Sequence, residues 1–253
     1  MSTPRNRKYG LVVLLATLVG LIAFANVWKS SLKVAHVMLS GNRIVEANEL
    51  FQLANVKHGS LIYDIDLKAI RKNLMSHYYI KDAIVERNLP STIELTVEER
   101  NPIALVNRPD PVYLDEDGVI LPHSISKALF DLPVLTGVRL GTNVSYGAVV
   151  QDSDAHEALE ILMAARIVDS ELYHLISEIQ LREGHDIVMF TAEGGVPVIV
   201  GEGNIPDKLA RLDAFWNDVI RQRGLQNLQY VDLRYDDQVV ARWSDHSRTM
   251  KTM

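Results

Sequence analysis

The chain has 253 residues, a formal net charge of −6 and no cysteine, which excludes disulfides, thiolate metal sites, iron–sulfur clusters and cysteine nucleophiles together. Beyond residue 28 it carries 23 Lys and Arg against 32 Asp and Glu. Such an acidic body is unsuited to nucleic acid or to lying flat on anionic lipid, since both need clustered cations.

Tyr9 to Trp28 (YGLVVLLATLVGLIAFANVW) contains no charged side chain between Lys8 and Lys29. A helix of that length spans roughly 30 Å, about the thickness of a bilayer core. Arg5, Arg7 and Lys8 precede it, and Tyr9 and Trp28 stand at its ends, where amphipathic rings favour the headgroup level. These residues predict a cytoplasmic tail over 1–8, a transmembrane helix over 9–28 and a body on the far side. The basic bias that sets this orientation is slight, because Lys29, Lys33 and Arg43 follow the span. A cleaved signal peptide is the competing reading, since Ala23-Phe24-Ala25 has the small-x-small pattern of a cleavage site. The apolar run, however, outlasts a usual signal core and continues to Trp28.

Leu32 to Leu39 reads as a strand and Ser40-Gly41-Asn42 as a turn. Val45 to Val56 has helical spacing, and Asp64 or Asp66 is placed to cap a second helix with Leu67, Ile70 and Leu74 on one face. From Asp82 the period becomes two: Ala83, Val85 and Arg87 alternate with Ile84 and Glu86. After Asn88-Leu89-Pro90-Ser91, the apolar Ile93, Leu95 and Val97 continue the alternation. Strand–helix–helix–strand–strand within about 70 residues is a small α+β domain.

The segments LSGN (39–42), LIYDID (61–66), VERNLP (85–90) and VEERNP (97–102) resemble the polypeptide-transport-associated (POTRA) domain, in the version carried by the bacterial cell-division family FtsQ/DivIB. The resemblance implies a βααββ domain over 32–101. In it Gly41 permits a tight turn, Asp64 and Asp66 start the second helix and Pro90 turns one strand into the next.

After Pro102 the pattern is mostly β. Ile103–Val106 and Val112–Asp115 lead into Asp115-Glu116-Asp117-Gly118, a hairpin signal. A calcium loop would need further ligands at fixed spacing and a bidentate Glu, so a turn is expected. Leu132–Gly137 reads as a short strand and 138–151 as a loop, with a formal glycosylation sequon at Asn143-Val144-Ser145. Asp152 or Asp154 is expected to cap a helix to about Val168. Strands are expected at Ser177–Leu181, Asp186–Thr191 and Val196–Val200, and Ile205–Arg223 should be a helix ended by Gly224. Gly201-Glu202-Gly203 lacks the rest of a phosphate loop and reads as a turn. The fold class is therefore α+β: an N-terminal transmembrane helix, a small βααββ domain, a β-rich domain with a few helices over 102–243 and a flexible tail over 244–253.

Leu228–Tyr235 and Gln238–Trp243 read as the closing strands. A last strand followed only by a polar tail is a candidate sheet edge, whose unpaired N–H and C=O groups either need protection or accept a partner strand. The run YVDLRY (230–235) with Trp243 eight residues on resembles the end of FtsQ/DivIB. There the resemblance implies strand addition by an FtsB/FtsL-like coiled-coil subcomplex, with Arg234, Tyr235, Asp237, Val239, Arg242 and Trp243 as partner-binding residues. This chain departs from the family in having Asp237-Gln238-Val239-Val240-Ala241 where small residues, including Gly, are common. The resemblance further implies an inner-membrane scaffold of the division septum, with its body in the periplasm and other division proteins as partners of the POTRA domain.

No catalytic constellation is legible. The eight histidines show no HExxH or other close metal spacing, His185-Asp186 falls in a hairpin turn, and Asn143–Gly147 lacks the first Gly of a nucleophile elbow. Neither metal nor cofactor is expected, and the chain reads as a non-enzyme. Two alternatives remain: a POTRA protein of outer-membrane assembly or secretion, which requires a barrel series that is absent here, and a membrane-anchored cell-wall enzyme.

Overall fold

The apolar segment lies within one continuous helix, α1 (Arg5–Lys29), on which Tyr9 and Trp28 are exposed along with every residue between them. Its stretch Tyr9–Lys29 is long and apolar enough to cross a membrane. The computed structural model describes residues 5–123, 130–141, 144–182, 186–201 and 203–244. The side chains of Arg5, Arg7 and Lys8, the sequon residue Asn143, His185, Glu202 and the tail from residue 245 lie outside the described residues. The chain divides into two units, Met1–Glu99 and Arg100–Met253.

In the first unit β1 (His36–Ser40), α2 (Ala47–Ala54), α3 (Leu67–Leu74), β2 (Ile80–Asn88) and β3 (Thr92–Glu99) form the expected βααββ unit. The sheet order is β1-β3-β2, with β1 parallel and β2 antiparallel to β3. The alternation read from the sequence is the burial pattern: Ile93, Leu95 and Val97 are buried, as are Leu50, Ile70 and Leu74 of the two helices. Of the two candidate caps, Asp66 is the one used, and its Oδ1 accepts from the N–H of Lys68 and Ala69. Gly41 has φ +89°, and a Cβ there would collide with the carbonyl oxygen of Val97, so the turn after β1 requires glycine. The first strand begins later than expected. Leu32 and Val34 bond instead to the 59–62 loop, through Ile62 N–H to Leu32 O and Val34 N–H to Ser60 O, so these residues belong to a separate two-strand bridge.

Glu99 closes this unit. Its buried carboxylate accepts the N–H groups of Arg43 (2.8 Å), Ile44 (2.7 Å) and Val45 (2.9 Å). The acid of the VEERNP motif thus holds the loop between β1 and α2, a local answer to three otherwise unpaired donors.

The second unit is one nine-stranded mixed sheet of order β12-β11-β10-β9-β8-β7-β4-β5-β6. Its strands are β4 (Pro102–Val106), β5 (Val112–Asp115), β6 (Ile120–Pro122), β7 (Val134–Thr136), β8 (Ile176–Arg182), β9 (Asp186–Thr191), β10 (Pro197–Ile199), β11 (Leu228–Asp232) and β12 (Val240–Trp243). Helices α4 (Ser153–Val168) and α6 (Ile205–Phe215) bury Leu159, Leu162, Leu209 and Leu212 together with Leu135, Ile179, Val198 and Val231 of the sheet. Asp152 caps α4. The short helix α5 (Ser170–Leu175) between α4 and β8 had no distinct sequence signal.

The acidic stretch at 115–118 is a hairpin turn. Asp115 is buried, accepts the N–H of Asp117 and Val119, and pairs with Arg100 at 2.8 Å. The expected helix over 205–223 is present but not uniform. After α6 a π-helical turn (Trp216–Ile220) leads into α7 (Arg221–Arg223), and Gly224, at φ +78°, ends it.

Candidate functional site

The site is the last hairpin of the nine-stranded sheet, built upward from β10. Leu233 donates its N–H to Ile199 of β10. Because a strand alternates, Tyr230 and Asp232 then turn their polar groups the other way, onto β12. They meet Arg242 and Val240 there, while Val231 lies opposite Ala241. Ser244, two residues beyond Arg242, also donates inward, to Asn227 O. The N–H and C=O groups of Ala241 and Trp243 are therefore the ones directed at the free edge. Among the described strands β12 has β11 as its single neighbour.

The connection between the strands is longer than expected. Strand β11 stops at Asp232 and β12 starts at Val240, so Arg234, Tyr235, Asp237 and Val239 stand in the linking segment, not in a ladder. Asp232 causes the exit. Its buried carboxylate accepts the backbone N–H of Arg234 (3.0 Å) and the guanidinium at 2.7 Å, a side-chain turn that outcompetes further pairing. The Arg234 guanidinium holds the Asp232 carboxyl below the ordinary carboxylate value, against the opposing effect of burial. Asp237 adopts φ +59°, left-handed backbone within the linking segment.

Side chains around the edge divide by face. Arg242 is exposed, on the face opposite the helices, and Tyr235 is 49% exposed on the linking segment. Val239, Ala241 and Trp243 are half-buried against the core. The Trp243 ring lies 6.3 Å from Phe215 and carries the Arg223 guanidinium 3.9 Å above it, while its buried Nε1 has no hydrogen-bond partner among the described residues. The π-helical turn explains how both contacts arise from one helix. In a regular α-helix residues eight apart are about 80° out of line, and wider winding restores them to one face. Phe215 and Arg223 were not among the sequence-derived candidates, because their spacing reads as core stripe and helix end.

Beside the linking segment an open cleft of about 550 Å³ is lined by Asn204, Lys208, Arg211, Arg234, Asp236 and Asp237. Lys208 is buried and donates to Val200 O at 3.0 Å. Burial pushes its ammonium below the usual lysine value, with Arg211 adding to the effect. Among the described residues no group of three or more His, Cys, Asp or Glu could hold a metal ion. The hairpin offers backbone groups, an aromatic pair and cations, which is the chemistry of an interface.

Comparison with known proteins bears on which interface this is. Residues 32–100 match the family model described as POTRA domain, FtsQ-type, and residues 101–242 match FtsQ/DivIB, C-terminal related. The chain belongs to the FtsQ/DivIB family. It is 30% identical over 216 residues to the cell division protein FtsQ of Geobacter sp. (strain M21), covering 83% of this chain and 76% of that one. With FtsQ of Rhodothermus marinus the identity is 28% over 259 residues, covering 99% and 92%. A relative named cell division protein DivIB, from Clostridium acetobutylicum, is 24% identical over 204 residues and covers 80% and 79%. The relatives of this chain are cell division proteins, and its N-terminal apolar helix is compatible with a membrane anchor.

Proposed function

We propose that this protein is a bitopic scaffold of the bacterial division machinery that takes an extended segment of an FtsB/FtsL-like subcomplex as a further strand on β12. The observation that carries the reading is the position of β12 at the end of the sheet order, with one strand neighbour among the described residues. A backbone edge recognises an extended partner through main-chain hydrogen bonds, and alternate side chains supply specificity. In this reading Arg234, Tyr235, Asp237, Val239, Arg242 and Trp243 flank the added strand. Residues 1–8 are cytoplasmic, 9–28 span the inner membrane, and the POTRA domain over 32–101 and the β domain over 102–243 lie in the periplasm at the septum. The POTRA domain contacts other division proteins, and the chain has no enzymatic role.

The test is site-specific photo-crosslinking in dividing cells, with the reactive side chain placed in turn at Tyr235, Asp237, Val239, Val240 and Trp243. Adducts to one small coiled-coil membrane protein, clustered along the edge, are the expected result. Absence of any adduct, with normal division after Tyr235 and Trp243 are replaced, would overturn strand addition.

A further inference from the structure

We propose that the segment received by β12 is acidic where it passes Arg242 and Trp243, and that two consecutive carboxylates are what the edge selects. This rests on the strand-addition reading above and specifies the chemistry of the strand.

Residues 100–253 carry 14 Lys and Arg against 23 Asp and Glu. In this acidic unit four guanidiniums have carboxylates at hand: Arg100 pairs with Asp115, Arg139 with Asp154, Arg221 with Glu171 and Arg234 with Asp232. Arg223 and Arg242 do not. Both are exposed, and neither has an acidic partner among the described residues. They converge on one end of the free edge from opposite faces of the sheet. Arg242 stands on the open face, while Arg223 lies over the Trp243 ring on the helical face. A general excess of negative charge disfavours an acidic segment on this unit, and these two cations stand at the end of the free edge, so they define where along it such a segment is accepted.

Strand geometry converts this into a sequence requirement. Successive side chains of an added strand point to opposite faces. The residue beside Arg242 reaches the open face, and its neighbour in sequence, beside Trp243, reaches the helical face and Arg223. Cross-strand neighbours stand close enough for opposite charges to pair. A carboxylate at each position completes one pair per face, whereas a lysine at either meets a guanidinium. The Phe215–Trp243–Arg223 stack holds the second guanidinium in place beforehand, so less side-chain freedom is lost when the strand arrives.

The experiment uses the full chain in lipid nanodiscs and a phage-displayed library of random 12-residue peptides. Clones that bind the native chain but not Ala241→Pro, which removes an outward N–H, are edge binders. The expected result is enrichment of adjacent Asp/Glu pairs among edge binders. A selected peptide should bind the native chain about tenfold more tightly than Arg223→Gln/Arg242→Gln, with the gap closing at high salt, at roughly threefold per exposed pair. Arg223→Lys/Arg242→Lys should recover part of it, and both double variants should melt as the native chain does. Edge binders with no acidic enrichment, or with equal affinity for the Gln variant, overturn this inference and leave strand addition standing. Absence of any clone lost on Ala241→Pro overturns strand addition and this inference with it.

Discussion

Proline scanning of β12 separates its two rows of backbone groups. The N–H of Ala241 points to the free edge and that of Val240 points to Asp232 on β11, as the inward bonds of Leu233 and Ser244 require. Ala241→Pro removes no intramolecular hydrogen bond, and proline is tolerated on an edge strand when its nitrogen faces outward. It deprives an incoming strand of one donor and leaves the matching acceptor unpaired, which costs about 2 kcal/mol of binding, or roughly thirtyfold in Kd. Val240→Pro breaks a ladder bond inside the sheet and leaves its acceptor unpaired, at about 1–3 kcal/mol of stability. The assay pairs a thermal melt of the full chain with a titration against the purified FtsB/FtsL-like subcomplex. The expected outcome is a native-like melt with weakened binding for Ala241→Pro, and a lowered melt for Val240→Pro. Equal melts for the two variants would refute the assignment of inward and outward groups. Undiminished binding by a folded Ala241→Pro protein would refute strand pairing along β12.

Three further outcomes are expected. Glu99→Ala should destabilise the first unit by about 3 kcal/mol, since three backbone donors lose a charged acceptor; amide exchange at Ile44, Val45 and Leu50 should accelerate while β8 and β9 stay protected. Gly41→Ala should unfold or severely loosen the same unit, because both the φ of +89° and the Val97 carbonyl oppose a Cβ, and circular dichroism of the full chain would register the loss. Asp232 has a lowered folded-state value, so its contribution is present above the unfolded carboxylate value of about 3.9 and is lost as pH falls through the lower folded one. Arg234→Gln should move that loss to higher pH, and melts between pH 2 and 6 would show the difference narrowing at the acid end.

Much of this protein was settled by local sequence. An uncharged run from Tyr9 to Trp28 leaves an exposed apolar helix as its outcome, and the period-two alternation through Ile93, Leu95 and Val97 fixes which face of β3 meets the helices. Gly41 and Pro90 and the helix caps act within a few residues of themselves, so their roles are written where they stand. Tertiary structure decided whatever depends on distant partners. Alternation tells a strand which face is inward but not which strand lies beside it, and the order that puts β12 at the end of nine strands pairs segments as distant as Val134 and Glu178. Whether Asp64 or Asp66 capped α3 turned on loop geometry. The end of β11 at Asp232, short of the expected Tyr235, turned on a carboxylate finding Arg234. Phe215 and Arg223 read as ordinary helix residues until the π-helical turn aligned them under Trp243. Side-chain periodicity is a property of one segment, whereas an edge, and the unpaired cations beside it, exist only once every other strand has taken its neighbour.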